Sequence, residues 1–114
     1  MKVEVLYFDG CPTYKTATKI LQAVLAEEGV EAEVQLVAVN THEEARRLQF
    51  PGSPTIRVDG RDLFPALERE YWGLGCRVYA TPEGLKGCPT AEMLRKTLPK
   101  QGYAHTNAKQ MPYG

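Results

Sequence analysis

Apolar and polar residues follow two rhythms in the first part of this chain, and the rhythm changes at a cysteine. Val3, Val5 and Tyr7 alternate with Glu4, Leu6 and Phe8, so both faces of a short strand are largely apolar, the pattern of a strand covered on both sides. Ala17, Ile20, Leu21, Val24 and Leu25 then recur at helical spacing, with Lys15, Lys19, Gln22 and Glu27 turned outward. Between the two lies Gly10-Cys11-Pro12-Thr13. Proline suits the first helical position, which predicts Cys11 as the N-cap, where unpaired N–H groups and the helix dipole favour an anion. A thiol held there ionises readily, and the thiolate is the form that attacks disulfides and binds soft metals.

Glu28-Gly29 is a helix stop, and residues 32–39 read as a second strand joined to the first by a right-handed parallel crossover. Thr41 to Glu44 fits a capping box, with Thr41 as cap and Glu44 reaching back, and Ala45 and Leu48 give a short helix its inner face. His42 falls on that helix's exposed face. Residues 55–58 form a third strand that stops at Asp59-Gly60, a dipeptide of tight hairpins. The next strongly apolar strand pattern is 76–80, which leaves 61–75 as a packed insertion carrying Leu63, Phe64, Leu67, Tyr71, Trp72 and Leu74, with a helical turn over 65–70. Tyr71 and Trp72 serve there either as local core or as a wall beside the thiol.

Gly87-Cys88-Pro89-Thr90 repeats the four letters of residues 10–13, and again a helical stripe follows, here Ala91, Met93, Leu94 and Leu98. Beyond Pro99 the periodicity is lost, so the expected division is one domain over 1–98 and a mobile tail over 99–114, with His105 on the tail.

A strand, then Gly-Cys-Pro at the head of a long helix, then Gly52-Ser53-Pro54-Thr55 opening a later strand, resembles the thioredoxin-like superfamily in its short, glutaredoxin-sized form. The resemblance spans residues 2–98, and its specific sequence lies in the two loops. It implies an α/β fold with a four-stranded mixed sheet flanked by about three helices. It also implies a cis Ser53-Pro54 bond, a loop lying against Cys11, and a substrate chain held by strand-like hydrogen bonds from the backbone of Ser53 and Thr55. The activity implied is thiol-disulfide exchange, with a disulfide-containing protein or small thiol as partner, glutathione as a candidate co-substrate, and no other cofactor. The superfamily's usual second cysteine is here Tyr14, whose phenol becomes a candidate neighbour of the thiolate. In the same layout the start of the last helix faces the start of the first, which makes Cys88 the candidate resolving thiol.

At 114 residues the chain can build one core. Its 14 basic and 14 acidic residues balance without a basic run, which points away from nucleic acid and from a membrane-binding face. The N-terminus runs straight into a strand, without the layout of a signal peptide, and three cysteines are an odd count, so the expected setting is the reducing cytoplasm and not a disulfide framework. With no Cys-x-x-Cys and only His42 and His105, a structural zinc site is not expected. Cys76, at the start of the fourth strand, should pack in the core, away from Cys11.

Three functions are consistent with these residues. The first is a thiol-disulfide oxidoreductase with Cys11 as nucleophile and Cys88 or an external thiol releasing it. The second is a thiolate binder of mercury, copper or arsenic. The third is a binding module of the same fold without chemistry, for which Tyr14 in the second-cysteine position speaks.

Overall fold

Strand β1 (Lys2–Tyr7) is paired along both edges, parallel to β2 (Glu33–Ala38) and antiparallel to β3 (Thr55–Val58). The structure, a computed structural model, describes residues 1–65 and 72–99. The far edge of β3 carries β4 (Arg61–Asp62), which completes a four-stranded mixed sheet of order β2-β1-β3-β4. A separate two-stranded hairpin joins β5 (Tyr79–Thr81) to β6 (Gly84–Lys86). The helices are α1 (Tyr14–Glu27), α2 (His42–Arg47) and α3 (Ala91–Thr97).

Because β1 is internal, it contributes to a core on each side of the sheet, through Val3 and Val5 on one face and Leu6 on the other. Val3 and Val5 pack with Leu21, Val24 and Leu25 of α1, Ile56 and Val58 of β3, and Leu94 and Leu98 at α3. Leu6 points to the other side, against Val39, Ala45 of α2 and Phe50. Helices thus cover both faces, two on one side and one on the other.

Local sequence explains the ends of these elements. Gly29, at φ +68°, lets α1 close with Val30 N–H on Leu25 O and Gly29 N–H on Ala26 O, the paired bonds of a Schellman stop. Thr41 Oγ1 accepts from Glu44 N–H at 3.1 Å, as the capping box requires, while the Glu44 carboxylate takes the N–H of Asn40, one residue before the cap.

Two expectations are corrected. The fourth strand of the sheet is β4, not 76–80, because Asp59 and Gly60 do form the tight hairpin: both sit at positive φ, +52° and +87°, which carries the chain straight back along β3. The insertion expected over 61–75 therefore does not begin at residue 61. Residues 61 and 62 belong to the sheet, Leu63 and Phe64 pack on the larger core, and Leu74 packs on the smaller one. Trp72 is half-buried and lines a groove with Leu48, Gln49, Pro51 and Arg57. Most of the helical turn expected over 65–70, together with Leu67 and Tyr71, lies outside the described residues, as do residues 100–114 of the expected tail. No helix among the described residues is long and apolar enough to cross a membrane.

Candidate functional site

The topology brings three loops to one end of the sheet. Leu6, near the end of β1, pairs with Thr55 at the start of antiparallel β3, so the loop leaving β1 and the loop entering β3 are neighbours. The first holds Cys11 and the second holds Ser53-Pro54, whose peptide bond is cis. The third, leading into α3, is tied to the first by Thr13 Oγ1, which donates to Gly87 O at 3.1 Å.

Cys11 is not the N-cap. Its N–H turns back to Phe8 O at 3.0 Å, which holds residues 8–11 in a turn, and α1 begins two residues later with Thr13 as cap. Thr90 has the same place before α3, where its Oγ1 accepts from Met93 N–H at 3.1 Å. Both copies of Gly-Cys-Pro-Thr therefore start a helix on their threonine. They differ in how the hydroxyl is used: Thr13 caps no N–H of its helix, and its oxygen lies 3.5 Å from Cys11 Sγ.

The environment of Cys11 has two opposing effects on its ionisation. Burial, with 5 % of the residue exposed, pushes the thiol up, but hydrogen bonding from Ser53 Oγ, Thr13 Oγ1 and the N–H groups of Thr13 and Tyr14 outweighs it, and the net shift is below the ordinary value. Thr13 has one hydroxyl proton and two claimants, Gly87 O and the sulfur, and the 3.1 Å carbonyl contact is the better bond. Among the described residues Ser53 has no competing acceptor. Its Oγ is fully buried and makes no hydrogen bond of good geometry, leaving the sulfur as the group it faces.

That lone hydroxyl stands out because the loop around it is otherwise well bonded. Gly52 O accepts from Thr55 Oγ1 at 2.6 Å, Ser53 N–H donates to Gly75 O, Ser53 O accepts from Arg77 N–H, and Pro54 O accepts from Tyr79 Oη at 2.6 Å. Arg77, 7 % exposed, braces the loop from behind. It is bonded to Asp62 Oδ2 at 2.9 Å and to Thr55 Oγ1, with its guanidinium 4.8 Å from the centroid of the Tyr79 ring.

Cys88 is half-buried, and its thiol is pushed up, first by burial and then by the negative charge that Cys11 carries as a thiolate. Tyr79 is shifted upward as well, chiefly by burial, with both thiols among the charges it feels. Cys11, Cys88, Ser53, Thr13 and Tyr79 therefore share one neighbourhood.

Several expectations for the site change. Cys11 is buried beneath its loop and does not stand open at a helix end. The backbone of Ser53 is not free to hold a substrate chain, since residues 75–77 already occupy its N–H and C=O, and Thr55 is committed to the ladder with β1. Tyr14 serves the sulfur through its N–H, while its ring stacks on Tyr7 with centroids 4.1 Å apart. Cys76 is exposed, not core, and forms a parallel bridge to Ser53, beside the loop it was expected to avoid. Sequence reading missed Thr13, Arg77 and Tyr79. The twofold use of Gly-Cys-Pro-Thr pointed to the first, but nothing local marked the other two.

Among the described residues, no three of His, Cys, Asp and Glu converge as metal ligands would. No protein-family model, curated protein or solved structure matches the chain.

Proposed function

We propose that the chain is a thioredoxin-like thiol-disulfide oxidoreductase in which Cys11 attacks as a thiolate and Cys88 resolves the product. The sheet order, the helices on both faces and the cis-proline loop beside the cysteine support the fold assignment. The observation that carries the activity is the Cys11 sulfur, whose charged form is favoured by hydrogen bonding although the residue is buried.

The opposite shifts of the two thiols support these roles. Cys11 is the readier of the two to carry a negative charge, and Cys88 the readier to keep its proton. When Cys11 attacks a disulfide, its charge passes to the leaving thiolate and the sulfur becomes part of a neutral mixed disulfide. The repulsion that held Cys88 protonated then disappears, so the second thiol becomes a better nucleophile at the step that needs it. Attack by Cys88, or by a small external thiol such as glutathione, releases the product.

The same pair favours a second reading, a two-thiolate grip on a soft cation such as Hg(II) or Cu(I). Two variants separate the readings. In Cys88→Ser, exchange predicts a mixed disulfide accumulating at Cys11 after exposure to a small disulfide. Absence of that adduct, together with stoichiometric metal retention that Cys11→Ser abolishes, selects the metal binder.

A further inference from the structure

Resting on the reading of Cys11 and Cys88 as a reacting pair, we propose that the oxidant this site is built for is a small hydroperoxide, reduced at Cys11 to an alcohol or water. Three observations lead there.

The first is access. Displacement at a disulfide needs the three sulfurs in line, with the substituents of the disulfide carried along, whereas a hydroperoxide needs only its terminal oxygen to meet the sulfur. A cysteine with 5 % of its surface exposed, beside a loop whose backbone is already paired with residues 75–77, suits the smaller reactant.

The second is Ser53 Oγ. A buried hydroxyl without a good partner is costly, and native structures rarely keep one without a use. In a loop where the carbonyls of residues 52–54 are all engaged, this hydroxyl alone is left facing the reactive sulfur. Sulfur is a weak acceptor, so a disulfide substrate would use such a donor poorly. The oxygens of a hydroperoxide, on which charge develops as the O–O bond breaks, would use it well.

The third is a second thiol close by: Cys88 follows Gly87, whose carbonyl accepts from Thr13 at 3.1 Å, and that same hydroxyl lies 3.5 Å from Cys11 Sγ. The Cys11 thiolate attacks the terminal oxygen of ROOH, an S–O bond forms, the O–O bond breaks, and Cys11 becomes a sulfenic acid that keeps the peroxide's own hydrogen. The departing RO⁻ takes the proton of Cys88 and leaves as ROH. Cys88, now a thiolate, attacks the sulfenic sulfur. The S–S bond forms, the S–O bond breaks, and hydroxide departs to become water. Two electrons pass from the thiol pair to the peroxide, and two equivalents of a small external thiol restore the pair by exchange. Cys88 thus serves first as acid and then as nucleophile, a double role that its place next to Gly87, the residue bonded to Thr13 beside the Cys11 sulfur, allows.

The test uses the full chain with Cys76→Ser, reduced, in rapid mixing with hydrogen peroxide, with tert-butyl hydroperoxide, and separately with a small aromatic disulfide. Rates are expressed per thiolate and compared with free cysteine at the same pH. The proposal expects both peroxides to oxidise Cys11 at least about a hundredfold faster than free cysteine, the gain typical of a placed proton donor. Adding Ser53→Ala should lower the peroxide rate per thiolate by at least about tenfold, with little change in the disulfide rate per thiolate. In Cys88→Ser a dimedone-reactive sulfenic acid should accumulate at Cys11. If the peroxide rate per thiolate stays within a few-fold of free cysteine while the disulfide still reacts, the peroxide proposal is wrong and the exchange reading stands. If neither oxidant reacts faster than with free cysteine, both are wrong.

Discussion

Thr13 Oγ1 donates to the carbonyl oxygen of Gly87 at 3.1 Å, and this bond fastens the loop before α3 to the loop of Cys11. The approach is close: a Cβ on Gly87 would stand 2.9 Å from Thr13 Cγ2. Thr13→Val keeps the shape but leaves the carbonyl without its donor, so it should cost about 1 kcal/mol in denaturant unfolding, while Thr13→Ser should cost less. Gly87→Ala should push the two loops apart. The measurement is the rate of Cys11–Cys88 disulfide formation in a defined thiol buffer, expected to fall in Gly87→Ala and in Thr13→Val.

Ser53→Ala separates reactivity from stability. Removing the hydroxyl withdraws the donor that faces the sulfur, so the Cys11 pKa should rise relative to the wild type. Because that hydroxyl makes no good hydrogen bond in the native protein, its loss should leave stability unchanged or slightly improved. Thiolate absorbance against pH and a urea melt on the same sample check the two halves. A fall in stability with an unmoved pKa would show that the serine is structural.

The thiols should leave opposite marks on stability against pH. For Cys11 the folded pKa lies below the ordinary 9.0. Between those values the unfolded chain holds a proton that the native chain lacks, so stability rises with pH through this window and the contribution is complete above 9.0. For Cys88 the folded pKa lies above 9.0, so the native chain keeps a proton that the unfolded one loses, and stability falls as pH rises past that value. Chemical denaturation across pH under reducing conditions should show the rising limb reduced in Cys11→Ser. The same series should show the falling limb reduced in Cys88→Ser.

Much of the sheet was readable because β1 is apolar on both faces, β2 and α1 have clear periods, and Gly29 and Thr41 sit where caps require them. The fourth strand was not, because β4 has two residues and no hydrophobic period of its own. Only the turn chemistry of Asp59-Gly60 announced it, and the apolar run 76–80 competed for the place. The start of α1 was misread by two residues because proline at the first helical position is a general preference, whereas here a turn bond from Cys11 N–H to Phe8 O and a threonine after the proline decide it. Arg77 and Tyr79 reach the site only through tertiary packing around Pro54, which no local pattern encodes.

The brace behind Pro54 is an ion pair with side chains 8 % and 17 % exposed, Arg77 with Asp62. Asp62→Asn leaves the guanidinium buried without its counter-charge and should cost about 3 kcal/mol. Adding Arg77→Met to Asp62→Asn should recover part of the loss, so the double variant should be more stable than the sum of the single effects allows. Urea melts of the four proteins close that cycle.

The account rests on the Cys11 sulfur being charged more readily than an ordinary thiol despite its burial. Ultraviolet thiolate absorbance against pH, in a Cys76→Ser, Cys88→Ser protein where Cys11 is the only thiol, reads this without depending on access to the sulfur. The account predicts a midpoint below 9.0. A midpoint at or above that value would contradict it.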